Sequence, residues 1–171
     1  MGPFRTVIAT ATLELESHSP AETKRLARRL ARLLQPGDVI LLEGPFGAGK
    51  TVFVQGLAGG LGIKDQVSSP SFILVNEYHN HTTVYHADLY RISGVEEAVA
   101  LGLEEYVSGR GIFVVEWPER VAEVWPAERL WITFIVAGKR ERKMIFQARG
   151  DRYVGMVQRL ARFHRGGAVG R

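Results

Sequence analysis

Gly44-Pro45-Phe46-Gly47-Ala48-Gly49-Lys50-Thr51 matches every required position of the phosphate-binding pattern G-x-x-x-x-G-K-[ST]. Ordinary residue frequencies produce such a match in a chain of this size only in roughly one sequence in a couple of hundred. On its N-terminal side, Val39-Ile40-Leu41-Leu42 reads as a short buried strand running into the loop; beyond it, Phe53, Leu57 and Leu61 recur at helical spacing. The motif therefore stands between a strand and a helix, where its chemistry requires it. Its glycines let the backbone turn sharply and aim several N–H groups at one point, and the helix N-terminus behind them adds positive partial charge. Such a loop cradles a polyphosphate, with Lys50 reaching the β- and γ-phosphates and the Thr51 hydroxyl holding Mg²⁺.

The rest of the composition sets bounds on this reading. A length of 171 residues suits one α/β domain able to bury a real core, and 46% hydrophobic with 23% charged residues is ordinary for a water-soluble protein. The absence of cysteine excludes a disulfide framework, a thiolate metal site and a thiol nucleophile. Met1-Gly2-Pro3-Phe4-Arg5 lacks the apolar core of a signal peptide and no apolar run is long enough to span a bilayer, so a cytoplasmic protein with no membrane contact is expected. The net charge of +4 is unevenly spread: residues 139–171 carry ten Lys/Arg against Glu141 and Asp151, leaving residues 1–138 net acidic. A basic C-terminal end on an acidic body suits a nucleic acid or an acidic protein partner, or is simply a solvated tail and helix face.

Upstream of the loop, alternation of Thr with apolar residues over 4–15 suggests a strand near a sheet edge. Ser19 is a candidate N-cap, Pro20 takes the first helical position and Glu22 completes a capping box. Leu26, Leu30, Leu33 and Leu34 form the buried stripe of this helix, and Lys24, Arg25, Arg28, Arg29 and Arg32 face out. Gln35-Pro36-Gly37-Asp38 ends it.

Downstream, Gly59-Gly60 and Gly62 end the loop helix, and Val67-Ser68-Ser69-Pro70-Ser71 is a hydroxyl-rich loop suited to sensing a phosphate or metal. Phe72–Val75 and Thr82–Tyr85 read as hairpin strands around His79-Asn80-His81. The second strand continues into His86-Ala87-Asp88-Leu89-Tyr90-Arg91, and period-two alternation puts His86, Asp88 and Tyr90 on one face. Asp88 is a candidate for acting on metal-bound or attacking water, against the plainer reading of an ion pair with Arg91. Ser93 with Glu96 looks like a second capping box, opening a helix with Val95, Ala98 and Val99 inward; Gly102 breaks it, and Leu103–Val107 add a turn. Ile112-Phe113-Val114-Val115-Glu116 is a continuous apolar run ending in an acid. A buried strand of this kind delivers a carboxylate to the sheet edge beside the phosphate loop, which makes Glu116 the candidate metal ligand, against the plainer reading of a structural ion pair. Trp117 follows as either core or a lid. Glu119–Val124 form a short helix stopped by Pro126, and Arg129–Val136 with Lys143–Ala148 form a hairpin around Gly138–Glu141. Arg152–His164 form a last helix with Val154, Val157, Leu160 and Ala161 inward. The expected architecture is an α/β single-domain P-loop NTPase over residues 1–165, with a mixed central sheet flanked by helices and a disordered tail over 166–171.

Taken together, Ser19–Thr23, Gly47–Thr51, Ser69–Val75, Val84–Arg91, Leu101–Tyr106 and Val115–Pro118 resemble the bacterial ATPase family of tRNA threonylcarbamoyladenosine biosynthesis, called TsaE or YjeE. The His-x-Asp-Leu-Tyr-Arg and Glu-Trp-Pro elements in this order after a phosphate loop are far more specific than the loop alone. The resemblance implies weak, Mg²⁺-dependent ATP hydrolysis. It also implies partnership with the threonylcarbamoyl-transferase catalytic subunit and its inactive paralogue, with tRNA met through that complex. By position it implies that Pro45, Phe46, Gly47, Ala48, Gly49, Lys50, Thr51 and Val52 bind ATP, that Thr51 and Glu116 bind Mg²⁺, and that Asp88 supports hydrolysis beside Lys50 and Glu116. Ser71 is then a switch residue and Trp117 an active-edge residue, with further nucleotide contacts near Pro20 to Thr23 and at the hairpin arginine Arg140. Pro45-Phe46 replaces the family's usual Asp-Leu, Val52 a Thr, and Ser71 a Thr, changes that bear on nucleotide affinity. The competing reading is a nucleotide-gated binding module with incidental hydrolysis. A small-molecule kinase lacks an arginine-rich lid, and a GTPase lacks the Asn-Lys-x-Asp motif.

Overall fold

Seven strands form one mixed sheet in the order β1-β7-β6-β2-β5-β4-β3. The computed structural model describes residues 7–70 and 74–166. The strands are β1 (Thr10–Ser17), β2 (Val39–Glu43), β3 (Val75–His79), β4 (Thr83–Asp88), β5 (Ile112–Glu116), β6 (Arg129–Val136) and β7 (Arg142–Arg149). The central four, β4-β5-β2-β6, are parallel, β3 closes one edge antiparallel to β4, and β7 and β1 close the other. The runs expected to be buried strands are so: Val39–Leu42 and Ile112–Val115 are essentially inaccessible, because helices cover both faces.

One face carries α1 (Pro20–Ala31), α2 (Lys50–Gly60) and α5 (Asp151–Gly166), packed on Ile40, Leu42, Val114, Ile132 and Phe146. The opposite face carries α3 (Val95–Ala100), α4 (Leu103–Val107) and a 3₁₀ segment, Pro118–Val124, around Leu41, Phe113 and Val115. α1 starts as its sequence requires: Glu22 N–H donates to Ser19 Oγ at 3.2 Å, and His18 N–H donates to the Glu22 carboxylate at 2.7 Å. α1 and α2 approach so closely that a Cβ on Gly56 would lie 2.6 Å from Ala27 Cβ, which explains a glycine inside a helix.

Several local expectations shift. The N-terminal strand runs over Thr10–Ser17 instead of 4–15, of which 4–6 lie outside the described residues; it is an edge strand, as its alternation suggested. The hairpin is offset: His79 ends β3 instead of sitting in the turn, and of the expected first strand Phe72 and Ile73 lie outside the described residues. Gly94 and not Ser93 caps α3, and Ser93 is bonded through both its N–H and hydroxyl to Glu97, not Glu96. Val95 and Val99 are exposed and only Ala98 of that trio is buried, because this six-residue helix packs against the 3₁₀ segment and α4 with nothing among the described residues laid over its other side chains. β4 ends at Asp88, so Tyr90 has left the strand alternation. Gly166 is the last residue of α5, and 167–171 lie outside the described residues.

Candidate functional site

Parallel pairing brings three chain segments to one row at the C-terminal end of the sheet. Leu42 on β2 pairs with Glu116 on β5, and Glu116 pairs with Asp88 on β4. The phosphate loop leaves β2 two residues after Leu42, so it starts beside both acids. Residues in register on neighbouring strands point to the same face, here the face of α2. This places Glu116 (3% exposed) and Asp88 (6% exposed) under the N-terminus of that helix.

The loop itself presents bare donors. Gly49 caps α2 in the left-handed region (φ 99°), with no side chain bonding the first helical N–H groups and no acid in the first turn. An uncapped helix N-terminus offers its N–H groups and dipole to an anion. Thr51 Oγ1 donates to Glu116 Oε1 at 3.0 Å. A hydroxyl, a buried carboxylate and a second carboxylate one strand away form a set of hard oxygen donors that suits Mg²⁺, which takes one or two protein carboxylates and fills its shell with phosphate and water. Among the described residues no group of three His, Cys, Asp or Glu lies close enough to hold a metal ion.

Lys50 is folded back on its own loop. Its ammonium donates to the carbonyls of Gly44 and Pro45 and lies 3.9 Å from the centroid of the Trp117 ring. Burial pushes its pKa down, against the opposing pull of Glu116, Glu119 and Asp88. Burial in turn raises the pKa of Glu119, the acid two residues after Trp117 at this edge. Both Asp88 oxygens are engaged: Oδ2 accepts from the Ser69 hydroxyl and Oδ1 from Tyr90 N–H at 3.0 Å. The hydroxyl-rich loop is thereby tied to Asp88 through Ser69; Ser71 lies outside the described residues.

Three aromatic rings close the rim. Phe46, Tyr90 and Trp117 contact one another with centroids 4.5–5.0 Å apart. Trp117, held at φ 61°, stands over Lys50 at the rim and also packs against the Leu41–Phe113–Val115 cluster. Phe46 is the most exposed of the three at 67%. A cavity of about 370 Å³ is lined by the loop with Ser69, Asp88, Glu116 and Trp117. A second, of about 210 Å³, lies on the far side of the loop and is lined by Pro20, Thr23, Val52, Lys139, Arg140 and Arg142, among others. The α1 start and the hairpin arginine Arg140, distant in sequence, therefore do meet beside the loop.

A model of the family described as Threonylcarbamoyl adenosine biosynthesis protein TsaE matches residues 17–144. The chain belongs to the TsaE family. It is 43% identical over 151 residues to the tRNA threonylcarbamoyladenosine biosynthesis protein TsaE of Bacillus subtilis, covering 88% of this chain and 94% of that one. Identity to the TsaE of Treponema pallidum is also 43%, over 127 residues, covering 73% of this chain and 94% of the relative. The crystal structure of Bacillus subtilis YdiB superposes with a TM-score of 0.80 at 39% identity, covering 91% of this chain and 98% of that one. No helix of the described residues is long and apolar enough to cross a membrane.

Two side chains at this TsaE site received no role from the sequence. His86 is fully buried, and its Nε2 lies 2.8 Å from Glu116 Oε1 while its Nδ1 has no partner. The neutral tautomer with the proton on Nε2 donates to the carboxylate and leaves only an acceptor lone pair orphaned. Strand alternation had already put His86 on the Asp88 face; its bond to Glu116 needed the β4–β5 register. The other is Arg142, whose guanidinium donates to Gly47 O at 3.0 Å, Ala48 O at 3.2 Å, and the hairpin carbonyls of Gly138 and Glu141. It ties the phosphate loop to the β6–β7 turn, whereas Arg140 contributes to the cavity wall.

Proposed function

We propose that the protein is the Mg²⁺-dependent ATP-hydrolysing switch of tRNA threonylcarbamoyladenosine biosynthesis, working with the transferase catalytic subunit and its inactive paralogue in the cytoplasm. The observation that carries this reading is the convergence of an uncapped α2 N-terminus, the Thr51–Glu116 pair and Lys50 in one cavity, with Asp88 one strand away. The loop N–H groups and Lys50 bind the β- and γ-phosphates, and Lys50 reaches them by leaving the Gly44 and Pro45 carbonyls. Thr51 and Glu116 would hold Mg²⁺, which when bound neutralises charge on the phosphate oxygens. Asp88 orients water, with Ser69 and Tyr90 N–H fixing the carboxylate. The second cavity, with Pro20, Thr23, Val52 and Arg140 in its wall, accommodates the nucleoside.

The folded-back Lys50 makes the resting protein a slow enzyme, so stimulation is expected from its partners. ATP hydrolysis with Mg²⁺ should rise at least several-fold when the two transferase-complex subunits and tRNA are added. ATP binding without hydrolysis in every mixture would overturn this reading in favour of a nucleotide-gated module. Arg142→Ala should release the loop from the hairpin. The ordering it supplied would then be lost on binding, so the KM for ATP is expected to rise about tenfold, the equivalent of ~1.4 kcal/mol, with kcat little changed. An unchanged KM would show that the loop orders itself without this clamp.

A further inference from the structure

The linear split between an acidic body and a basic C-terminal end becomes, in three dimensions, a split across the sheet. On one face, α1 carries Lys24, Arg25, Arg28 and Arg29, its C-cap is Arg32, and α5 adds Arg152, Arg159, Arg162 and Arg165. The acids on those two helices are Glu22 and Asp151. On the opposite face, α3, α4 and the 3₁₀ segment carry Glu96, Glu97, Glu104, Glu105, Glu119 and Glu123 against Arg120. α1 and α5 run antiparallel side by side. Arg152 near the α5 N-terminus donates to Leu33 O just past the α1 C-terminus, at 2.6 Å, and His164 near the α5 C-terminus shares a groove with Arg25 and Arg29, whose β1 wall holds Glu14, paired with Lys143, and Glu16.

These cations are not spent within the protein. Arg25 pairs with Glu22 and Arg152 with Asp38, but Arg28, Arg29, Arg32, Arg159, Arg162 and Arg165 enter no ion pair among the described residues. Lys24, Arg28 and Arg32 recur at i, i+4, as do Arg25 and Arg29, and like charges at that spacing repel along a helix. A stripe kept at that cost is compensated when a polyanion lies on it.

We propose that the outer face of α1 together with the C-terminal half of α5 is a docking surface for the sugar–phosphate backbone of a structured RNA. The inference goes beyond the ATPase reading and draws on it only in taking tRNA as the RNA to test. A lipid surface fits less well: a membrane-binding helix inserts its apolar face, and here Leu26 and Leu30 are committed to the core. A protein partner fits less well because protein interfaces need an apolar centre, and among the described residues of α5 the large apolar side chain left exposed is Phe163. Between Arg162 and His164, that ring instead suits an unpaired base. α1 spans about 18 Å, long enough to follow several phosphates.

The test is fluorescence anisotropy of unmodified tRNA with the full chain across a salt series. Affinity should fall steeply with salt, and Arg28→Glu/Arg32→Glu/Arg162→Glu should lower it about 100-fold at ~0.1 M salt. The milder Arg28→Gln/Arg32→Gln/Arg162→Gln, which removes the charges while keeping helix propensity, should lower it about tenfold. Arg110→Glu, in the turn after α4, should change it less than about twofold. Thermal unfolding and ATP hydrolysis are followed on the same samples. Wild-type affinity in the Gln and Glu variants would overturn the proposal. So would their selective loss of binding to phosphatidylglycerol vesicles with tRNA binding intact. ATP hydrolysis without tRNA binding would remove the surface alone; tRNA binding through these arginines without hydrolysis would remove the ATPase reading alone.

Discussion

Lys50→Ala is expected to lower ATP hydrolysis by about 100- to 1,000-fold, the scale on which removing one preorganised donor from a phosphoryl-transfer or oxyanion site acts. Partner stimulation should disappear with it. The same substitution should leave thermal stability unchanged or slightly higher, because the side chain is 5% exposed and burial holds its pKa below the ordinary 10.5. The sign follows from proton counts. Between the depressed folded pKa and 10.5 the unfolded chain binds more protons at this site, so stability rises with pH across that window. The rise should be absent from Lys50→Ala in the nucleotide-free protein. A variant with wild-type turnover would remove Lys50 from the chemistry, and an unchanged pH–stability curve would remove the burial argument.

Glu116→Ala has the second large effect. It deletes the acceptor of both Thr51 and His86, leaving the fully buried imidazole with neither nitrogen paired. An orphaned buried donor costs about 1–3 kcal/mol, so the melting temperature should fall. Mg²⁺-dependent hydrolysis should drop by about 100- to 1,000-fold, and modification of tRNA should stop after a single round. His86→Ala should reproduce a milder version, about 10- to 100-fold, because it removes only the group that orients the carboxylate. If Glu116→Ala still supported repeated modification with ATP bound, ATP would act as a gating ligand and hydrolysis would be incidental.

How much of this was legible varies with range in the sequence. The strand–loop–helix around Lys50 was readable because glycine placement, a buried run and helical spacing all occur within about twenty residues of one another. The start of α1 was readable for the same reason: capping by Ser19 and Glu22 is local chemistry. Glu116 at the end of an apolar run was conspicuous because an acid there requires a partner, and the partners found are Thr51 and His86. The capping of α3 was misassigned by one position because Ser93 can bond Glu96 or Glu97, and only the path of the chain decides between them. Val95 and Val99 looked inward because periodicity marks an apolar stripe without revealing whether anything covers it.

The sequence by itself determined the local frame: the phosphate loop between β2 and α2, the capped α1 with its basic outer stripe, the acids closing β4 and β5, and membership in the TsaE family through motifs spread over most of the chain. These are properties of short segments, governed by backbone conformation and residue spacing. Tertiary structure alone decided which segments meet. The register of β2, β5 and β4 put Glu116 between Leu42 and Asp88 and gave it His86. The reach of the β6–β7 hairpin made Arg142, two residues from Arg140, the clamp on the loop. The assignment of α1 and α5 to one face and α3 and α4 to the other turned a charge imbalance along the chain into one across the sheet. Those outcomes depend on strand order and layer packing, which arise from burial summed over the whole core and leave no mark in any single stretch of residues.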